Sequence, residues 1–155
     1  MRGGREPGPR GTPDATGRSS QEGDQERERA AYAYAVIRLV PRVERGECLN
    51  VGVVLFCRAR RFLGARTLLD EVRLRAFAPG LDPETVAPHL EAIELVAAGD
   101  SAGGPLSRLP ASERFGWLVA PTSTILQPGP VHGGASADPA ATLARLFDKL
   151  VAPPG

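Results

Sequence analysis

Residues 34–56 read YAVIRLVPRVERGECLNVGVVLF, and this stretch decides the fold. Two apolar, β-branched runs flank a charged turn, Pro41-Arg42-Val43-Glu44-Arg45-Gly46-Glu47. Over residues 31–40, Tyr32, Tyr34, Val36, Arg38 and Val40 share one face of a strand. Ala33, Ala35, Ile37 and Leu39 share the other. Pro41 ends the strand because it has no N–H to give a ladder. Residues 49–57, LNVGVVLFC, form a second strand that is apolar on both faces. Such a strand is expected at the centre of a sheet covered on both sides. Gly52 in its middle invites close packing by a neighbour.

Working outward, residues 61–67 (RFLGART) follow a turn at Arg58-Ala59-Arg60 and read as a third strand of an antiparallel meander. Asp70 is placed to cap a short helix reaching Ala78, stopped by Pro79-Gly80. Asp82-Pro83-Glu84 is an N-cap, a first-position proline and a first-turn acid in sequence. Val86, Leu90, Ile93 and Ala97 then recur at helical spacing, and Gly99 closes the segment. Pro88 marks a kink or the true start of this helix. Residues 99–110 read as a loop, and residues 114–120 (RFGWLVA) read as a fourth strand. Residues 121–137 read as a long Pro/Gly-rich loop. Asp138-Pro139 caps a last helix with Leu143, Leu146, Phe147 and Leu150 on one stripe. The expected class is α+β: a small antiparallel sheet of about four strands with two to three packed helices.

Residues 1–30 contain no Val, Ile, Leu, Phe, Tyr or Trp, and carry six arginines against six acids. Such a segment buries too little apolar surface to offset the entropy of ordering, so a disordered leader is expected, followed by a single domain over residues 31–152. The leader has neither the apolar run of a signal peptide nor the acid-poor character of an organellar presequence. No apolar run approaches the roughly 18 residues of a membrane span. A cytoplasmic protein with no membrane contact is expected. Residues 31–75 carry nine arginines against four acids, a net +5, whereas residues 76–155 carry four basic and eight acidic groups, a net −4. This dipolar surface would steer an acidic partner or nucleic acid, or it is simply a solvated surface.

Three groups of residues are candidates for chemistry. The first is Arg38, Arg42, Arg45, Glu47 and Asn50. Arg38 interrupts an otherwise apolar face, so burial would demand a partner, and Glu47 is the nearest carboxylate in sequence. The group is read either as an anion-recognising patch or as a strand-end salt bridge beside a turn with Gly46 at positive φ. The second runs from Trp117 through Pro121, Ser123, Thr124 and Gln127 to Pro130-Val131-His132-Gly133-Gly134. Loops of this length are often functional. It is read as a binding surface or as a loop held by its own side-chain-to-backbone hydrogen bonds. A Ser123–His132–Asp138 triad has no nucleophile-elbow sequence behind it, and Asp138 is better explained as a helix cap. The third is Arg58, Arg60, Arg61 and Arg66 with Phe62, which could grip phosphates or merely decorate a hairpin tip. His89 is expected at the surface.

Cys48 and Cys57 bracket one extended strand and stand too far apart to bridge. With only His89 and His132 beside them they make no zinc site. No P-loop, dinucleotide fingerprint or acidic Mg²⁺ cluster is present, so no cofactor is expected.

With Y-A-V-I-R-L-V-P in the first strand, R-G-E-C-L-N-V-G-V-V-L-F in the second, and then R-F-G-W-L-V-A-P-T-S-T-I-L-Q-P-G-P-V-H-G-G, the chain resembles a family of small bacterial proteins. The family is domain of unknown function 3037. The resemblance runs from about Tyr34 to Val151 and implies no established activity. It implies a gene context beside HipA-like Ser/Thr kinases, and hence an accessory protein in a toxin–antitoxin-like module. The blocks that mark the family fall on Arg38, Arg45-Gly46-Glu47, Asn50 and Gly52, and on Trp117, Pro121, Ser123-Thr124, Gln127 and Pro130-Val131-His132. These blocks are therefore expected to meet in one polar site.

The expected function is a non-enzymatic accessory or regulatory protein that binds a partner protein. The alternatives are a nucleic-acid binder through the arginines of residues 38–75, and an enzyme acting on a phosphorylated or acidic small molecule.

Overall fold

The computed structural model describes Gly3 and residues 28–154. The expectation of a disordered leader falls almost wholly outside the described residues. Five strands form one sheet: β1 (Ala30–Leu39), β2 (Leu49–Cys57), β3 (Phe62–Thr67), β4 (Leu126–Pro128) and β5 (His132–Ser136). Four helices pack around it: α1 (Glu71–Phe77), α2 (Pro83–Ala98), α3 (Ala111–Leu118) and α4 (Pro139–Leu150). The class is α+β, with strand order β3-β2-β1-β4 and β5 paired beside β4 along the same edge of β1. Every strand pairing is antiparallel.

The alternation in β1 and β2 sets the two faces. Ile37, Leu39, Val51 and Val54 pack with Leu74, Val86 and Leu90, beneath α1, α2 and α3. Val53, Leu55 and Cys57 pack on the opposite face with Leu143, Phe147 and Val151 of α4 and the turn after it. The central strand is thus covered on both sides, as its doubly apolar sequence requires. Each such fully buried Val, Leu or Ile contributes about 1.5–3 kcal/mol of transfer free energy.

Gly52 is needed for space. A Cβ there would stand 3.0 Å from the Thr67 methyl and 3.2 Å from the Arg66 carbonyl oxygen. Beside it the ladder slips: Ile37 pairs with Gly52, but Arg38 pairs with Asn50. Val51 is the extra residue of a β-bulge. The bulge keeps Val51 in the core while turning Asn50 to the α4 side, where its Nδ2 donates to Leu150 O at 3.0 Å.

The helix caps follow the sequence. Asp70 accepts from the N–H groups of Val72 and Arg73, Asp82 from Glu84 and Asp138 from Ala141. Pro88 neither starts nor ends α2, which begins at Pro83 and runs through it. Residues 99–110 contain two short 3-10 turns (Ser101–Gly103 and Pro105–Arg108).

One element differs from the expectation. Residues 114–120 do not form a strand: Ala111–Leu118 is helix α3, and Val119 caps it. A short apolar run is ambiguous between the two states on periodicity alone. Tertiary contacts decide it. Phe115 and Leu118, three apart, pack into the core, and Phe115 stacks on Phe56 with centroids 5.3 Å apart. Arg114 then reaches the end of α2, where its guanidinium donates to Val96 O (2.9 Å) and Ala97 O (2.7 Å). The long loop of residues 121–137 also carries more structure than expected, since it contributes β4 and β5.

Candidate functional site

Helix α4 packs on β2 and β3 and leaves the same face of β1 largely uncovered. Along that open half, Tyr32, Tyr34, Val36 and Arg38 are all half-buried, although the residues between them from Ala35 on are fully buried on the other face. This is the candidate site: a strip of sheet flanked by α4 on one side and by β4 and β5 on the other.

Arg38 sits at one end of the strip. Its cross-strand neighbours are Asn50 on β2 and Gln127 on β4, so the three lie in one row on one face. The guanidinium lies over Gly129, where an added Cβ would come within 2.9 Å of Cζ. The expected ion pair with Glu47 is not formed. Glu47 binds Arg45 instead, with Oε1 accepting from Nη2 at 2.5 Å and from Nε at 3.1 Å. The hydrogen bond from Arg45 to Glu47, and then the charge of Glu47, hold the Arg45 guanidinium above its ordinary pKa. The pair is solvent-exposed, and such pairs add little stability. Arg38 has no carboxylate partner among the described residues.

The other end of the strip is aromatic. Tyr32 and Tyr34 have centroids 6.2 Å apart, and Tyr34 and His132 5.4 Å. His132 lies opposite Tyr34 in the β1–β5 pairing. Tyr34 and Arg38 are four residues apart on one strand, or about 13 Å. The strip therefore offers a cation with amide groups at one end, aromatic rings at the other, and Val36 between.

Arg38, Asn50, Gln127 and His132 are thus gathered on one face, but the two marked blocks do not merge entirely. Arg45 and Glu47 lie beyond the end of β1, on a second feature. This is a cleft of about 490 Å³ between the β1–β2 connection and the α1–α2 link, lined by Arg42, Arg45, Glu47, Phe77, Pro79 and Leu81 among others. Gly46 there has φ 69°, as the turn requires. His132, opposite Tyr34, and Arg45 are separated by the second half of β1 and the connection after it. Trp117, 61% exposed on α3, lies in the helical layer on the opposite side of the sheet from His132.

Ser123 and Thr124 lie in the segment that runs alongside the end of β1, tied there by Val40 N donating to Ile125 O at 2.6 Å. That segment is held by its own bonds. Thr124 Oγ1 donates to Leu126 O at 2.8 Å, Gln127 Nε2 donates to Thr124 O at 2.9 Å, and Thr124 N donates to Thr122 Oγ1 at 3.3 Å. Ser123 is exposed, and Asp138 is spent on its cap.

The arginines of the third group divide. Arg66 stacks over Phe147 at 4.6 Å, a packing role. Arg58, Arg60 and Arg61 stay exposed at the β2–β3 tip, with Arg61 at φ 51°, a conformation a non-glycine residue seldom adopts. Arg60 Nη2 donates to the Glu28 carbonyl, and Arg58 stands over the Phe56 ring. His89 is exposed, Cys48 is exposed and Cys57 is buried, both thiols being free. Among the described residues no cluster of three His, Cys, Asp or Glu side chains could hold a metal ion. No helix among them is long and apolar enough to cross a membrane.

The chain belongs to the DUF3037 family of proteins of unknown function. The family model matches residues 34–151, from within β1 to the turn after α4. The match thus takes in the cleft, the buried residues of both core layers and all of the strip but Tyr32. No curated protein and no solved structure matches this DUF3037 chain.

What sequence reasoning missed is the aromatic half of the strip. Tyr32 and Tyr34 share the Arg38 face by simple alternation, so the signal was present. Only the position of α4, over β2 and β3, shows that this face stays open.

Proposed function

We propose that this protein is a non-catalytic accessory subunit that docks on a partner protein through the open strip of its sheet. The partner that the family context indicates is a HipA-like kinase. The observation that carries the reading is Arg38: a half-buried guanidinium with no carboxylate partner among the described residues, next to the half-buried amide side chains of Asn50 and Gln127 and a row of aromatic rings. A partner surface presenting a carboxylate beside apolar side chains is complementary to it. Desolvated Arg and Tyr are the residue types that dominate binding energy at protein interfaces. The polar side chains nearby hold backbone groups rather than one another, which suits a rigid docking surface.

The test is co-purification with a HipA-like kinase, with and without nuclease, using wild type, Arg38→Ala and His132→Ala. A stoichiometric complex that survives nuclease and weakens at least tenfold in Arg38→Ala is expected. No interaction at micromolar concentration, or an Arg38→Ala protein that binds unchanged, rejects the proposal.

A second reading has its own observation: three exposed arginines at one hairpin tip. Nucleic acid held there would bind with steep salt dependence. Loss of the bound material on nuclease treatment, and in an Arg58→Ala/Arg60→Ala/Arg61→Ala protein, would favour it.

A further inference from the structure

The two outer edges of the sheet are treated differently. On β3, Thr67 N donates to Glu94 Oε1 of α2, so the last N–H of that edge is capped by a helix, and the edge carries Arg66. On β5, four of the five residues are exposed, two are glycines, and residues 129–137 carry no charged side chain. Lysines, prolines and bulges are the usual devices that blunt an open edge, and none lies within β5.

The direction of its backbone groups follows from the neighbouring bonds. Gly129 N donates to Val36 O at 2.7 Å, and Val40 N donates to Ile125 O at 2.6 Å. Even-numbered residues of β1 therefore turn their backbone groups toward β4 and β5. In an antiparallel ladder a bonded pair exchanges both bonds. The pairs Tyr34–His132, Tyr32–Gly134 and Ala30–Ser136 are thus the bonded ones. Gly133 and Ala135 turn their N–H and C=O groups outward, and no described residue bonds to them.

We infer that β5 is a dimerisation edge whose occupant is β5 of a second copy of this chain. The outward groups are placed symmetrically about Gly134. In an antiparallel pairing centred there, Gly133 of each copy exchanges both bonds with Ala135 of the other, and every outward group is satisfied. Such a contact is self-complementary, as a twofold interface must be. The absence of charge removes repulsion between copies, and Gly133 lets the backbones approach. The Tyr32 ring lies across Gly134, where a Cβ would meet it at 2.5 Å, and so buttresses the strand from the α4 side. The twofold axis stands perpendicular to the sheet, so the α4-side faces of both copies point the same way. The two aromatic ends join into one trough, with an α4 helix along each side. This inference does not depend on the docking proposal.

The experiment is sedimentation velocity on the full chain from low to high micromolar concentration, with Gly133→Pro and Ala135→Pro. Each proline removes an outward N–H and leaves the β1 ladder intact. A mass that doubles with concentration in wild type, and stays monomeric in both variants at unchanged helical and strand circular dichroism, is expected. A wild-type monomer throughout overturns the inference, and so do dimers that persist in both variants. Should a proline variant unfold, amide exchange on wild type decides: Gly133 and Ala135 must gain protection as the dimer forms, and equal exchange at both concentrations overturns the assignment.

Discussion

Glu94 Oε1 accepts hydrogen bonds from both the backbone N–H and the hydroxyl of Thr67, at 2.8 and 2.9 Å. One carboxylate oxygen on α2 thereby closes the last residue of β3 and fixes the helix against the sheet edge. Glu94→Ala leaves a part-buried N–H without its acceptor, so a loss of about 1–3 kcal/mol is expected in denaturant unfolding. Glu94→Gln keeps an acceptor and should lose less. Equal stability of Glu94→Ala and wild type would show that the cap is idle.

Arg114 holds three carbonyls: Leu109 O at 2.9 Å, and Val96 O and Ala97 O at the end of α2. Cations are favoured at that pole of a helix. Arg114→Ala should cost about 2–3 kcal/mol, and Arg114→Lys should restore only part, because an ammonium lacks the planar fork. Thermal and denaturant midpoints measure both.

The Ser136 and Thr142 hydroxyls meet at 2.6 Å in a buried site, and Ser136 Oγ also accepts from Asp138 N at 3.0 Å. Ser136→Ala and Thr142→Val should each destabilise by about 1–2 kcal/mol. The double variant should lose less than the sum, because removing both partners leaves no orphan hydroxyl. A fully additive cycle would mean that the hydroxyls do not interact.

Gly129 separates stability from recognition. A Cβ there would press on the Arg38 guanidinium, the far end of a flexible side chain. Gly129→Ala should therefore shift stability by no more than about 0.5 kcal/mol. It should weaken the proposed partner complex as Arg38→Ala does. An affinity equal to wild type would detach Arg38 from recognition.

The candidate site was only half legible in advance. Asn50 and Arg38 could be named from their polar character in apolar strands, but their alignment depends on the bulge at Val51. The turn at Gly46 was legible, whereas pairing Arg38 with Glu47 was an error of reach: the 3-10 turn Val43–Arg45 brings Arg45, two residues away, to the carboxylate first. Trp117 and His132 are marked in one continuous block, yet the chain carries them to opposite sides of the sheet.

Local chemistry determined what the sequence shows by itself. Alternation over residues 30–39 sets the first central strand and its faces, the doubly apolar run 49–57 sets the second as a central strand, and Asp70, Asp82 and Asp138 set three helix starts. These are short-range effects, fixed by the period of the side chains and by the orphan N–H groups of a helix's first turn. The tertiary structure decided the rest. It made Ala111–Leu118 a helix, by giving Phe115 and Leu118 a core to enter and Arg114 a helix end to cap. It also set α4 over β2 and β3 and closed β3 with Glu94, leaving Tyr34, Arg38 and the β5 edge open. Which face stays uncovered depends on how elements distant in sequence divide a shared surface, and no local pattern encodes that division.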